Sequence, residues 1–403
     1  MERIVVIGAG QAGQALVSKL RTLGHTGPIA LMGEEPQPPY QRPPLSKAYL
    51  LGDMPLERLY LRPESYYAEN GIDLHLGETV VAIDRADKVV IQGGHAIPYD
   101  KLALTTGAVP RRLPGAIGGE LDGVYTVRTL ADVDAMAHEF TEGRRVLIVG
   151  GGYIGLEAAA VAAKRGLHTT LVEAAPRILQ RVAAPETSDF FRRVHAAHGV
   201  EIREGTGLDR LTGEGRVTGA TLSDGTQLDV DFVIVGVGIT PATTLAEAAG
   251  LVIDNGIRTD ALGQTSDPAI WAAGDCASFP HGDGRLRLES VGNAIDQAEC
   301  VAENMLGAGK PYVAKPWFWS DQYDVKLQIA GLNTGYDRIV TRPGGTENSV
   351  SHWYYAGDTL LAVDAMSDAR AYMVGKRLIE MGKSPDPAAV ADPATDLKTL
   401  LKA

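Results

Sequence analysis

Two glycine fingerprints constrain this chain more than anything else in it. The first runs Ile4-Val5-Val6-Ile7-Gly8-Ala9-Gly10-Gln11-Ala12-Gly13, and the second Val146-Leu147-Ile148-Val149-Gly150-Gly151-Gly152-Tyr153-Ile154-Gly155. Each is Gly-x-Gly-x-x-Gly between a β-branched run and a helical pattern, the context in which that spacing means dinucleotide binding. The first glycine makes a tight turn and the second lets backbone amides approach a pyrophosphate. The third lets helix and strand pack closely, while the helix N-terminus adds partial positive charge. One match alone is weak, because glycine-rich strand–helix turns also serve packing. Two in one chain, each followed by an acid, imply two dinucleotides: a bound cofactor and a diffusing one that reduces it.

At 403 residues the chain exceeds one ordinary core, so two or three domains are expected. After the first fingerprint come a helix near 11–23, a strand at Ile29-Ala30-Leu31-Met32, and a proline-rich stretch from Pro36 to Pro44 that excludes regular helix or central strand. Short strands are expected near 72–84 and 88–91, then a strand from Tyr99 running into the turn Thr105-Thr106-Gly107-Ala108. Val109 to Pro114 reads as a crossing. The second unit has its next strand at Thr169–Val172 and closes at Asp231–Gly238. Ile270–Asp275 then returns the chain to the first unit. From about Lys315 aromatics cluster (Trp317, Phe318, Trp319, Tyr323). Alternation near 325–331, 337–342, 350–356 and 359–365 then predicts an antiparallel sheet, covered by a helix near 368–382.

Composition narrows the partners. A formal charge of −12 argues against nucleic acid. No apolar run is long enough for a membrane span, and the immediate first strand leaves no room for a signal peptide. The only cysteines, Cys276 and Cys300, form neither a Cys-x-x-Cys pair nor part of a metal-ligand cluster, so no metal site is expected and a reducing, cytoplasmic setting fits. Thiol chemistry is disfavoured as well, since the prolyl loop offers Ser46 where a flavin disulfide reductase needs a cysteine near the flavin.

The acids separate the two sites. Glu34, or its neighbour Glu35, is placed to accept hydrogen bonds from the first cofactor's ribose. Glu173 sits at the matching place in the second unit, where a carboxylate bonds a ribose 2′-hydroxyl and repels a 2′-phosphate, favouring NADH over NADPH. Arg177 follows closely and serves the pyrophosphate or the surface. The first site suits a permanently held flavin, because three further segments return to it: the prolyl loop, the Thr105–Ala108 turn with Thr106 and Gly107, and the Gly274-Asp275 turn. Asp275 either accepts from ribityl hydroxyls or caps a helix.

Further strings carry a resemblance. Ile4–Gly13, Arg42-Pro43-Pro44-Leu45-Ser46-Lys47, Gly150–Glu157, Thr265-Ser266-Asp267-Pro268 through Asp275, Glu289-Ser290-Val291 and Pro316-Trp317-Phe318-Trp319-Ser320-Asp321-Gln322 are similar to the putidaredoxin reductase family of FAD-dependent NADH:ferredoxin reductases. The similarity runs from residue 1 to about 375. It implies an α/β protein with two Rossmann-like, glutathione-reductase-like dinucleotide-binding domains plus a C-terminal α+β domain. The expected boundaries are 1–108 and 238–314 for the FAD-binding domain, 109–237 for the NAD-binding domain and 315–403 for the last.

The implied activity is hydride transfer from NADH to tightly bound FAD, then single electrons to a [2Fe–2S] ferredoxin serving a haem monooxygenase. The alternatives are the reductase of an aromatic-ring dioxygenase, a rubredoxin reductase, or a flavin-holding signalling protein. By the same resemblance Arg42 contacts FAD phosphates, Lys47 lies near the flavin N5 edge paired with Glu157, and Tyr153 covers the flavin until nicotinamide displaces it. Val291 and Trp319 join Gly8, Gly10, Gly13, Glu34, Thr106, Gly107, Gly274 and Asp275 around FAD. Gly150, Gly152, Gly155, Glu173 and Gly238 face NAD. One departure stands out: the helix after Val291 carries Asp296, Glu299 and Glu303 and no basic residue. Positive charge for an acidic ferredoxin is therefore expected from Arg285, Arg287, Lys326, Arg338 or Lys376.

Overall fold

The run Ile4–Ile7 is apolar at every position because it is covered on both faces. In the computed structural model, which describes residues 1–346 and 348–402, it is the central strand of a five-stranded parallel sheet. The order is Ile270–Ala272, Lys101–Leu104, Ile4–Ile7, Ile29–Gly33, Ile72–Leu76. A strand buried on both faces loses the polar alternation of a half-exposed one. On one face pack the helices Gln11–Thr22 and Val291–Met305, whose alanines Ala12, Ala15, Ala294, Ala298 and Ala302 let the two backbones approach. The other face carries Val80, Ile83 and Val90 of a small antiparallel sheet. By contacts this compact unit comprises Met1–Arg42, Pro55–Val109 and Ile239–Pro316.

The second unit comprises Pro43–Met54, Pro110–Gly238 and Trp317–Ala403. The prolyl segment after Arg42, expected within 1–108, thus groups with the second fingerprint. This unit holds a parallel sheet in the order Glu201–Glu204, His168–Glu173, Arg145–Val149, Phe232–Val235, Val124–Tyr125. It also holds an antiparallel sheet in the order Trp317–Gln322, Val325–Gly331, Thr359–Met366, Val350–Ala356, Arg338–Pro343, with the helix Ala369–Glu380 packed on it. The strand Trp317–Gln322 was not foreseen: its three leading aromatics do not alternate with polar residues, so they read as a cluster. Behind this sheet the buried Arg342 guanidinium donates to four backbone carbonyls of the chain's last segment, those of Val390, Asp392, Pro393 and Thr395. Among the described residues no helix is long and apolar enough to cross a membrane.

Within this unit the antiparallel sheet meets the helix Pro185–Ala197 through polar groups that burial makes costly to leave unpaired. Asp364 accepts from Thr187 Oγ1 at 2.8 Å and from the Tyr354 hydroxyl, which itself accepts from the Ala184 N–H at 2.9 Å. Burial pushes the Asp364 carboxyl up to about 6 from an ordinary 3.8, against the pull of those two hydroxyl donors. A carboxyl raised in the folded state favours folding below its ordinary pKa, and that contribution is lost as pH rises through 6. Between pH 3 and 7, the wild type should therefore lose up to about 3 kcal/mol of stability relative to Asp364→Asn. Denaturant unfolding of both proteins across that range measures the difference; parallel pH profiles would refute it.

Candidate functional site

The fingerprint glycines divide by what each is for. Gly8 has φ +115° and a Cβ there would collide with the Thr105 carbonyl; Gly150 has φ +109° and would collide with that of Gly236. The third glycines, Gly13 and Gly155, are pressed against the carbonyls of Gly8 and Gly150. Gly10 and Gly152 differ: neither has a positive φ, and a Cβ on either meets no protein atom within 4 Å. Nothing inside the fold asks for glycine there. Each is the N-cap of its helix, without a side-chain cap and without an acid in the first turn. The free N–H groups and the positive end of each helix are thus left open to an anion.

The acids after the second strands are offset by one residue. Register pairs Ile7 with Met32 and Val149 with Val172, so the counterpart of Glu173 is Gly33, and Glu34 lies one place further. The reason is steric. A Cβ on Gly33 would come within 2.7 Å of the Ala9 Cβ, whereas in the second unit Gly151 makes room for Glu173. Glu173 accepts from the Gly151 and Ala175 N–H groups, both at 2.7 Å. Arg177 is committed to Ser188 Oγ at 2.6 Å and the Gln180 carbonyl. Glu34 is exposed, while Glu35 is held by Arg42 at 2.6 Å and by the Tyr40 hydroxyl. Burial works against the Arg42 charge, but Tyr40, Glu35 and Asp275 outweigh it and raise its pKa.

Around the first fingerprint, Thr105 Oγ1 donates to the Gly8 carbonyl at 2.8 Å and Thr106 Oγ1 to that of Ala242 at 2.7 Å. Gly107 and Gly274 both have positive φ, and the Gly274 N–H donates to Gln297 Oε1. The Asp275 carbonyl accepts from Arg287. Val291 opens a helix capped by Ser290, so Asp275 is not that helix's cap. Gly238 has φ +103°, with its ideal Cβ 3.7 Å from an Arg181 nitrogen.

In the second unit the prolyl stretch becomes a 3-10 turn, Pro43–Ser46, followed directly by Lys47. The Lys47 ammonium lies 3.0 Å from Glu157, 3.6 Å from Asp321 and 5.9 Å from the Trp319 ring centroid. Glu157, only 4% exposed, also accepts from Ser46 Oγ at 2.8 Å and Ser320 Oγ at 2.7 Å. Burial pushes its carboxyl up; Lys47 and the two serines pull against that without cancelling it. Neither serine was singled out from the sequence as a partner of Glu157, although each adjoins a residue or string that was. Tyr153 lies against Phe318 with ring centroids 4.6 Å apart, and its buried hydroxyl has no hydrogen-bond partner.

Residues 2–298 match the pyridine nucleotide-disulphide oxidoreductase model, and residues 317–401 match a reductase C-terminal model. The chain belongs to the pyridine nucleotide-disulphide oxidoreductase family. It is 42% identical to a ferredoxin–NAD(P)+ reductase of a Sphingomonas species, over 99% of this chain and 97% of that protein. It is 41% identical to putidaredoxin reductase of Pseudomonas putida, over 100% and 97%. A crystal structure of the covalent putidaredoxin reductase–putidaredoxin complex superposes with a TM-score of 0.95 at 40% identity, covering 100% of this chain and 98% of that one. Membership makes the chain an oxidoreductase using a flavin and a nicotinamide dinucleotide.

The residues present fit both groups: two uncapped helix ends, each behind a glycine that protein packing does not require. The disulphide of the family's description has no counterpart, since both cysteines are free and buried and burial raises the Cys276 thiol. Among the described residues no cluster of His, Cys, Asp or Glu could hold a metal ion. Substitution separates the glycine classes. Gly152→Ala should leave the unfolding midpoint unchanged while weakening nicotinamide-dinucleotide binding by about tenfold or more. Gly155→Ala should lower the midpoint. Thermal unfolding with a binding titration reads both, and unchanged affinity in Gly152→Ala would remove the anion-site assignment.

Proposed function

We propose that the chain is an FAD-dependent NADH:ferredoxin reductase that delivers single electrons to a [2Fe–2S] ferredoxin feeding a haem monooxygenase. Bound FAD supplies hydride acceptance at N5 and release of electrons one at a time. The carrying observation is the Lys47–Glu157 pair, its carboxylate buried, in a chain with no cysteine before Cys276. A positioned ammonium can stabilise negative charge on a reduced ring, and a carboxylate partner holds it in place and keeps it protonated.

The other roles follow the chemistry of each group. Amides behind Gly8, Gly10 and Gly13 bind the FAD pyrophosphate together with Arg42, and Glu34 takes the FAD ribose. Thr106, Gly107, Gly274, Asp275 and Val291 complete that site. Gly150, Gly152, Gly155 and Gly238 face the nicotinamide dinucleotide. Glu173 takes its 2′-hydroxyl and would repel a 2′-phosphate, while Arg177 is turned to Ser188 and the Gln180 carbonyl. Tyr153, with its unpaired hydroxyl, serves as a cover that nicotinamide displaces.

Arg285, Arg287, Arg338 and Lys376 each have an acidic neighbour, while Lys326 is exposed without an ion pair among the described residues. Lys326 therefore leads as the positive charge offered to a ferredoxin.

Stopped-flow bleaching of the flavin by NADH, followed by cytochrome c reduction through candidate ferredoxins, tests the proposal. NADH should outpace NADPH by about a hundredfold, Glu173→Ala should narrow that ratio, and Lys47→Ala should slow bleaching by about tenfold or more. Slow bleaching with no ferredoxin turnover would instead indicate a flavin-holding signalling protein.

A further inference from the structure

Glu157 is the end of a longer construction. Its partner Ser320 Oγ accepts from Gln322 Nε2 at 3.2 Å; Gln322 Oε1 lies 2.8 Å from His195 Nε2; His195 Nδ1 lies 3.2 Å from the Tyr323 hydroxyl. Ser320, Gln322 and His195 are fully buried. Groups buried this deeply lie away from bulk solvent, so each polar atom relies on its neighbour in the chain.

Charge at one end fixes every proton along it. An ionised carboxylate only accepts, so Ser320 must spend its single proton on Glu157. Ser320 Oγ can then only accept, which requires the Gln322 amide nitrogen to face it and the amide oxygen to face His195. His195 must therefore carry its proton on Nε2, leaving Nδ1 bare to accept from Tyr323. All four donors point toward Glu157. The far end is also held. Tyr323 sits in the left-handed region at φ +58°, a conformation that a bulky side chain keeps only when its surroundings impose it. Here its ring stacks on His198, centroids 3.7 Å apart and 12° from parallel, while its hydroxyl bonds His195.

We propose that Ser320, Gln322, His195 and Tyr323 are positioning residues forming a one-way hydrogen-bond chain that holds the Glu157 carboxylate ionised and aimed at Lys47. This deepens the function proposed above and rests on Lys47 and Glu157 acting as a pair. The charged and titratable groups facing the chain are few: Lys47 beside Glu157, with Asp321 beyond the ammonium, and Tyr323 and His198 around His195. Burial drives the His195 imidazole down to about 4, so it stays neutral, as the chain requires.

The test uses the flavin-loaded protein and two readouts independent of turnover. Nitrogen-15 NMR of labelled histidine should find His195 neutral and protonated on Nε2. Carbon-13 NMR of labelled glutamate should show the Glu157 carboxyl titrating roughly half a unit or more higher in Ser320→Ala, with Ser320→Thr restoring the wild-type value. His195→Phe, which breaks the chain two links away, should move Glu157 in the same direction by less. The pH profile of flavin reduction by NADH should shift with the Glu157 titration. An Nδ1-protonated His195, or a Glu157 titration unchanged in Ser320→Ala, overturns the chain. If instead both NMR results hold and NADH fails to reduce the flavin, the chain stands and the proposed function falls.

Discussion

A carboxylate with almost no solvent contact is the constraint on which the second unit's site depends. Burying an ion costs several kcal/mol even after relaxation, and removing one member of a buried pair is more damaging than never having built it. Glu157, on the second fingerprint's helix, meets that cost with an ammonium and two hydroxyls drawn from two other segments: the prolyl turn and the Trp317–Gln322 strand. All three segments are therefore held by the same carboxylate. The helix cannot rotate, nor the strand shift register by a residue, without orphaning a charge.

The two nucleotide units solve one problem with opposite allocations of space. Where the second strand ends, the turn and the strand compete for the volume of a single side chain. The first unit gives it to Ala9 and keeps Gly33 bare; the second gives it to Glu173 and keeps Gly151 bare. The acid after the second strand is thereby displaced by one residue between units otherwise built alike.

That displacement marks the limit of what could be read from the chain alone. Both fingerprints, the strands beside them and four strands of the last sheet were legible, because each rests on a local pattern of buried and exposed positions. The choice between Glu34 and Glu35 was open on the page of letters; in the structure Glu35 is paired with Arg42 and Glu34 is exposed. Lys47 and Glu157 came from a string and a resemblance. Ser46 and Ser320 stand in strings of the same resemblance, but their bonds to Glu157 were not legible, since they lie 111 and 163 residues from it. Contacts at such separations leave no periodic trace. The Trp317–Gln322 strand was hidden for a different reason: aromatic side chains on both faces erase the alternation that announces a strand.

Arg342 has a consequence for the end of the chain. A buried guanidinium is usually met by a carboxylate, but here it donates to four carbonyl dipoles, all within residues 390–395. Those carbonyls lie in and just after the short helix Pro387–Ala391, so the cation ties the tail to the strand Arg338–Pro343. Shortening the protein to residue 389 would strip a positive charge of its solvation inside the molecule.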